Sequence, residues 1–218
     1  MRVIDLSHPL DADTPVYPGT PRVELAPACT LEADGYLEHR LVLGTHVGTH
    51  VDAPAHLITD AASLDQLSVD RFVGRAVVLD PGGLEDGRVT VLRLEAQRDR
   101  LERMDFVLLR TGWARRWGQP GYLEGFPCLA PDAARWLADH GVRGFGVDAI
   151  SVDPVGDSAL AVHHELLSRG LVIVENLANL GVLPGTPFTF CALPLRIAGG
   201  DGSPVRAVAL LDPPVSAA

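Results

Sequence analysis

Eight short apolar runs, separated by glycine and proline, constrain the fold of this chain more than any other feature. Residues 74–80 (GRAVVLD) and 170–177 (GLVIVENL) are continuously apolar and rich in β-branched residues, as strands buried on both faces are. The 22 glycines and 17 prolines are spread along the chain, which indicates short elements joined by tight turns. The other six runs are residues 2–7, 38–44, 105–112, 142–148, 188–197 and 205–211.

Helical periodicity is clearest in residues 131–141 (PDAARWLADHG). Pro131 suits a first helical turn, Trp136 and Leu137 share one face, and Gly141 can end the helix. Two further helices are predicted, at residues 91–103 and 163–170. No repeat or linker divides the chain, so we predict a single mixed, sheet-rich α/β domain over residues 1–218 with flanking helices.

Composition excludes several classes of protein. Hydrophobic residues make up 47% of the chain, enough for a large core, and the net charge of −10 comes with no basic cluster. A nucleic-acid or membrane partner is therefore not expected. No export signal or apolar run of membrane-spanning length is visible, which predicts a cytoplasmic protein. Cys29, Cys128 and Cys191 are far apart and are expected to be small core residues rather than disulfide partners or zinc ligands.

Residues 44–57 (GTHVGTHVDAPAHL) concentrate metal-type side chains. A zincin helix is excluded because no glutamate follows His46, and glycine, threonine and proline disfavour a helix. In an extended segment, side chains alternate, so His46, His50 and Asp52 would point the same way and Gly48 would leave room at the centre. A single histidine is most often a satisfied core or surface group, but three such residues in register predict a metal site.

His56 follows a proline turn, four residues after Asp52. It is either a further ligand, a proton-transfer group near the ion, or a residue that closes the turn by hydrogen bonding. The roles predict different results when His56 is replaced: loss of metal, loss of rate, or loss of stability.

A second set of candidates lies in residues 161–180. His163 is predicted near the start of a helix, and Glu175 follows the apolar strand segment LVIV. A carboxylate at the end of a buried strand needs a partner, and a metal ion is one candidate. The alternative is an ordinary helix-start histidine and a loop glutamate; His164 and Glu165 would face elsewhere on the helix.

Residues 46–56 (HVGTHVDAPAH) match the signature H-x-G-T-H-x-D-x-P-x-H, by which the chain resembles the cyclase-like metal-dependent hydrolases. That family includes bacterial kynurenine formamidases, isatin hydrolases and polyketide cyclases. Similar segments occur along nearly the whole chain, at residues 4–21, 108–113, 146–154 and 163–180. The resemblance implies a swivelling β/β/α type of fold, a homo-oligomer (dimer or tetramer) and a divalent metal centre.

The resemblance also implies roles for individual residues. His46, His50 and Asp52 would hold a first ion, and Asp52 would bridge to a second ion held by His163 and Glu175. Zinc is the expected metal and manganese the alternative, with one ion or two.

By the same resemblance, His56 would be the catalytic acid/base of a hydrolase that cleaves a small amide. N-Formylkynurenine is the leading substrate, with kynurenine and formate as products of tryptophan catabolism. Lactam ring opening of the isatin type and polyketide cyclisation are the alternatives. This chain has Tyr17 where kynurenine formamidases commonly carry tryptophan, and GTHVDAP where they often read GAHADAP. A structural metal site is disfavoured because such sites usually have four protein ligands, often cysteines.

Overall fold

Thirteen strands form in the computed structural model, which describes residues 1–211 of the chain. The strands are β1 (Arg2–Asp5), β2 (Glu24–Cys29), β3 (Glu38–Val42), β4 (His50–Asp52), β5 (Val73–Leu79), β6 (Arg88–Val89), β7 (Phe106–Leu109), β8 (Cys128–Leu129), β9 (Gly144–Val147), β10 (Val172–Glu175), β11 (Phe188–Cys191), β12 (Gly202–Pro204) and β13 (Val208–Leu211). Each of the eight runs predicted as strands overlaps one of these strands. Of the other five strands, β4 lies in the segment predicted to be extended, and the pattern missed β2, β6, β8 and β12.

Nine strands form one mixed sheet in the order β1-β13-β11-β5-β7-β9-β10-β4-β12. The central strands β5, β7, β9 and β10 are parallel, and the strands on both sides of them are antiparallel. At one side of the sheet, β4 pairs with β10 so that His50 lies opposite Glu175. This pairing joins the two segments in which the sequence placed metal-type side chains.

Two apolar layers cover the faces of the central sheet. In β7, Val107 and Leu109 pack into one layer, while Phe106 and Leu108 pack into the other. Burying a side chain of this size stabilises the fold by about 1.5–3 kcal/mol. A strand buried on both faces gains from every position, which explains why these runs are continuously apolar.

The helices are short: α1 (Leu31–Asp34), α2 (Val91–Glu95), α3 (Pro131–Asp139) and α4 (Ala161–Leu167). Single 3₁₀ turns occur at Pro54–His56, Val69–Phe72, Arg98–Leu101, Trp113–Arg116 and Leu180–Val182. None of the helices within residues 1–211 has both the length and the apolar character of a membrane span. The mixed, sheet-rich α/β fold is therefore confirmed, with fewer helical residues than predicted.

The helix predicted over residues 91–103 is wrong beyond Glu95. Gln97 leaves the helical conformation, and its side chain donates to the backbone oxygen of Asp80. Arg100 donates to the backbone oxygen of Val78 at 2.7 Å. These contacts with the end of β5 outweigh the helical propensity of the segment.

The cysteines and the β2–β3 pair also differ from expectation in part. Cys128 lies in the core, as predicted, but Cys29 and Cys191 are only partly buried; all three are free thiols. β2 and β3 form a separate antiparallel hairpin outside the main sheet. The hairpin is largely exposed, because nothing in the described part of the chain covers it.

Candidate metal centre

The five predicted ligands meet where β4 and β10 lie side by side. His50 and Asp52 project from the same face of β4, because they are two residues apart on a strand. Glu175 ends β10, directly across from His50. His163 comes from the first turn of α4, and His46 comes from the turn before β4. These residues form two potential ligand groups that share Asp52.

Four of these side chains form an inner cluster: His50, Asp52, His163 and Glu175. The distances among them suit ligands of a common ion or ion pair. His50 Nε2 lies 3.3 Å from Asp52 Oδ1 and 3.4 Å from Glu175 Oε2. His163 Nε2 lies 3.4 Å from Glu175 Oε1 and 3.9 Å from Asp52 Oδ2. Two ligand atoms on one tetrahedral zinc ion lie about 3.3–3.4 Å apart, since each is about 2.0–2.1 Å from the metal.

Hydrogen bonds on the outer side of the cluster orient its members. His50 Nδ1 donates to the backbone oxygen of Gly48 at 2.9 Å, which directs Nε2 inward. Asp153 accepts from His163 Nδ1 at 2.7 Å, which directs Nε2 of that ring inward as well. Val152 N donates to Glu175 Oε1 at 2.9 Å. Partners of this kind fix the tautomer of a metal-binding histidine and increase its basicity.

The charge in the cluster calls for a cation. Asp52 is only 1% exposed, and its Oδ2 atom is buried without a hydrogen-bond partner. Burial alone would lower the pKa of His50, but Asp52 and Glu175 outweigh burial and raise that pKa to about 10. Burial also opposes protonation of His163, yet Asp153 and Glu175 raise its pKa to about 10. Because buried carboxylates are stable only when paired or bound to metal, the residues present fit a divalent ion.

His46 reaches the cluster by a different route from the one predicted. The extended conformation begins only at His50, and the preceding residues form a turn. Gly48 adopts a φ of +69°, and a Cβ atom there would lie 2.5 Å from Leu10, so this glycine makes room for Leu10 and not for an ion. The space for the His46 ring is left by Gly202, where a Cβ atom would overlap the imidazole.

His56 lies beside the inner cluster, in the 3₁₀ turn Pro54–His56. Its ring centroid is 3.9 Å from that of His46 and 6.1 Å from that of His163. The turn itself is closed by backbone atoms, since His56 N donates to the oxygen of Ala53 at 2.9 Å. Burial is the main influence on His56 and lowers its pKa. This placement suits a group that is near the ion yet outside the inner ligand set.

Asp201 and Asp153 contact the predicted residues but were missed in the sequence. Asp201 Oδ2 lies 2.9 Å from His46 Nε2 and 3.5 Å from His56 Nδ1. It belongs to a glycine-rich turn before β12, 155 residues from His46. No local pattern marks Asp201, and Asp153 precedes His163 by ten residues across an irregular loop.

The cluster opens into a cavity of about 270 Å³. Tyr17, Thr20, Ile150 and Leu160 line the cavity together with the metal-type side chains. The Tyr17 hydroxyl accepts from Gly156 N at 3.1 Å, which holds the ring against the loop before α4. A larger cavity of about 760 Å³ lies elsewhere and contains none of the six predicted site residues.

The family model described as "Putative cyclase" matches residues 4–154. The chain belongs to this family. Within the family it is 35% identical over 206 residues to a kynurenine formamidase of Bacillus mycoides (strain KBAB4), a match that covers 94% of this chain and 95% of that protein. A kynurenine formamidase of Bacillus cereus (strain ATCC 14579) is 36% identical over 210 residues, with the same coverage.

Solved structures of isatin hydrolases share the cyclase-family fold. The structure of an isatin hydrolase bound to the product analogue thioisatinate superposes with a TM-score of 0.88 and 29% identity, covering 96% of this chain and 92% of that one. Isatin hydrolase A from Ralstonia solanacearum gives 0.85 and 30%, covering 97% and 92%. These comparisons confirm the fold class and the enzyme class, a metal-dependent amidohydrolase of the cyclase family.

Proposed function

We propose that this cyclase-family enzyme is an arylformamidase that hydrolyses N-formylkynurenine to kynurenine and formate. The observation that carries the proposal is the buried, unpartnered Oδ2 atom of Asp52 within a ring of imidazoles and carboxylates that opens into a small cavity. The names of the relatives support the substrate, because kynurenine formamidases align with 94% of this chain.

His46, His50 and Asp52 would hold one divalent ion, and Asp52, His163 and Glu175 a second. Zinc is the proposed metal, because the ligands are imidazole nitrogens and carboxylate oxygens, and manganese is the alternative. When bound, such ions supply Lewis acidity toward water and toward the substrate carbonyl.

His56 would move the proton. It lies at the mouth of the centre with its side chain 27% exposed, so both the inner cluster and an incoming substrate are within its reach. Burial favours the neutral imidazole, which can accept a proton from the attacking water and deliver it to the departing amine. The amide and the water are thereby converted to an amine and formic acid, and the acid releases a proton to solvent as formate.

The cavity favours a small substrate with a flat apolar part. Ile150 and Leu160 provide apolar walls, and the anchored Tyr17 ring provides an aromatic one. At about 270 Å³, the volume lies just below the usual range for ligand pockets, about 300–1,000 Å³. An aromatic ring carrying an N-formyl group has this combination of properties.

The decisive experiment compares N-formylkynurenine with isatin on metal-loaded protein. Kynurenine is followed by its absorbance, and isatin consumption is followed in the same way. We expect the higher kcat/KM for N-formylkynurenine, and chelator should abolish it. Isatin is the second candidate because of the isatin hydrolase structure with a TM-score of 0.88. A preference for isatin would replace the proposed substrate but keep the hydrolytic centre, and activity toward neither would refute both.

We further propose that the chain forms a homodimer or homotetramer. The β2–β3 hairpin and its connecting segment expose large apolar side chains, including Leu25, Tyr36 and Leu37, that a partner subunit would cover. Light scattering of purified protein tests this. The cytoplasmic location and the lack of a nucleic-acid or membrane partner remain predictions.

A further inference from the structure

Asp201 lies between His46 and His56, to which the family resemblance assigns different roles. One oxygen, Oδ2, is 2.9 Å from His46 Nε2 and 3.5 Å from His56 Nδ1. The other, Oδ1, accepts from the hydroxyl of Thr45 at 3.0 Å. The backbone oxygen of Asp201 accepts from Ala53 N at 2.8 Å, which ties its loop to the end of β4.

The two short distances at His46 identify both contacts as hydrogen bonds. Its Nδ1 lies 2.6 Å from Asp52 Oδ1 and its Nε2 lies 2.9 Å from Asp201 Oδ2. Both values are shorter than the spacing of about 3.3–3.4 Å expected for two ligands on one ion. The imidazole is therefore held between an inner carboxylate and an outer one. The missing side chain at Gly202 lets the ring take this position.

The other two ligand histidines have the same arrangement. Each has one nitrogen facing the cluster and the other donating outward, from His50 to Gly48 O and from His163 to Asp153. Asp201 plays the corresponding part for His46, because it accepts a hydrogen bond from the ring nitrogen that faces away from the cluster. An ion that binds beside Asp52 needs the lone pair on His46 Nδ1, so the ring proton must then be on Nε2, where Asp201 accepts it.

We propose that Asp201 is a positioning residue that keeps the proton of His46 on Nε2, presents Nδ1 to the first ion, and holds His56 within reach of the same centre. This inference rests on the proposed metal-dependent function, and it adds a residue that neither the signature nor the implied ligand set contains. The bridging position predicts that one carboxylate affects both metal affinity and proton transfer.

Zinc binding without substrate tests the first half of the proposal. Metal-free parent protein, Asp201→Asn and Asp201→Ala are titrated with zinc in competition with a chromophoric chelator. Losing an outer partner of a metal-binding histidine typically costs about 10–100-fold in affinity. We expect one zinc equivalent to weaken by that factor in Asp201→Asn and at least as much in Asp201→Ala, while the other equivalent is unchanged.

Asp65→Asn is the matched control. Asp65 Oδ1 accepts from Gly199 N at 2.9 Å, so it anchors the same loop from the outside. Among the residues that the structure describes, Asp65 makes no hydrogen bond or ion pair with a histidine. The zinc affinity of the Asp65→Asn variant should equal that of the parent protein. Equal weakening in Asp65→Asn and Asp201→Asn would show that Asp201 only holds the loop and would overturn the proposal. Unchanged affinity in Asp201→Asn, or loss of a whole equivalent as for a ligand, would overturn it too.

Kinetics at saturating zinc test the second half. With both metal positions filled, Asp201→Asn should lower kcat with little change in KM, because His56 is less well held while the substrate walls are intact. A parental kcat would remove His56 from the proposal. If the parent hydrolysed no formamide, the proposed function would fail, but the zinc titration would still decide whether Asp201 positions His46.

Discussion

Zinc affinity should increase steeply with pH, because protons occupy the ligand set when no ion is bound. Burial opposes protonation of both imidazoles, His50 and His163, but nearby carboxylates outweigh it. Asp52 and Glu175 raise the pKa of His50 to about 10. Asp153 and Glu175 raise the pKa of His163 to about 10. Both imidazoles are thus protonated at neutral pH in the metal-free protein. An ion can bind only neutral imidazole, so each must release its proton.

The magnitude follows from counting these protons. One of the two histidines belongs to each proposed ion, so each ion displaces at least one proton below about pH 10. Affinity then changes by about tenfold per pH unit for each proton, or about 100-fold between about pH 6 and pH 8. Zinc affinity therefore increases as pH increases, and the increase ends only near the raised pKa values of His50 and His163.

The assay is competition of the protein with a chromophoric chelator at about pH 6, 7 and 8, corrected for the protonation of the chelator. Proton release measured by calorimetry in buffers of different ionisation enthalpy gives an independent count. His164→Ala is the control, since His164 neighbours His163 on α4 but is exposed. A flat or falling affinity in the parent would refute the reasoning, because it would mean that His50 and His163 are already neutral.

Three predictions concern single side chains. His50→Ala and Asp52→Ala should each lower zinc content measured by elemental analysis, because both residues are proposed ligands of the first ion; parental content in both would exclude the first ion from β4. His163→Ala and Glu175→Ala should behave alike and each lose about one equivalent, so unaltered stoichiometry and rate in either would remove that residue from the site. His56→Ala should keep its metal and lose about 10²–10⁴-fold in kcat, the usual contribution of general acid–base catalysis. Loss of metal would instead make His56 a ligand, and a near-parental rate with a lower melting temperature would leave it only a structural role.

The sequence by itself predicted eight of the thirteen described strands and the residues of the proposed metal centre. A strand buried on both faces must be apolar at every position, so β5, β7 and β10 were visible as continuous runs. That His50 and Asp52 lie on one face of β4 was predictable because alternation along an extended segment is a local property. Glu175 was predictable because a carboxylate after a buried strand needs a partner.

Only the tertiary structure decided which distant residues complete the centre. Asp201 reaches His46 across 155 positions because β12 pairs with β4, and no local pattern encodes that pairing. The same holds for Gly202, whose missing side chain matters only because the His46 ring packs against it. The helix expected over residues 91–103 stops early because Gln97 and Arg100 bond to β5. Propensity and periodicity describe a segment's own preferences, whereas hydrogen bonds and steric contacts between segments depend on where packing brings them together.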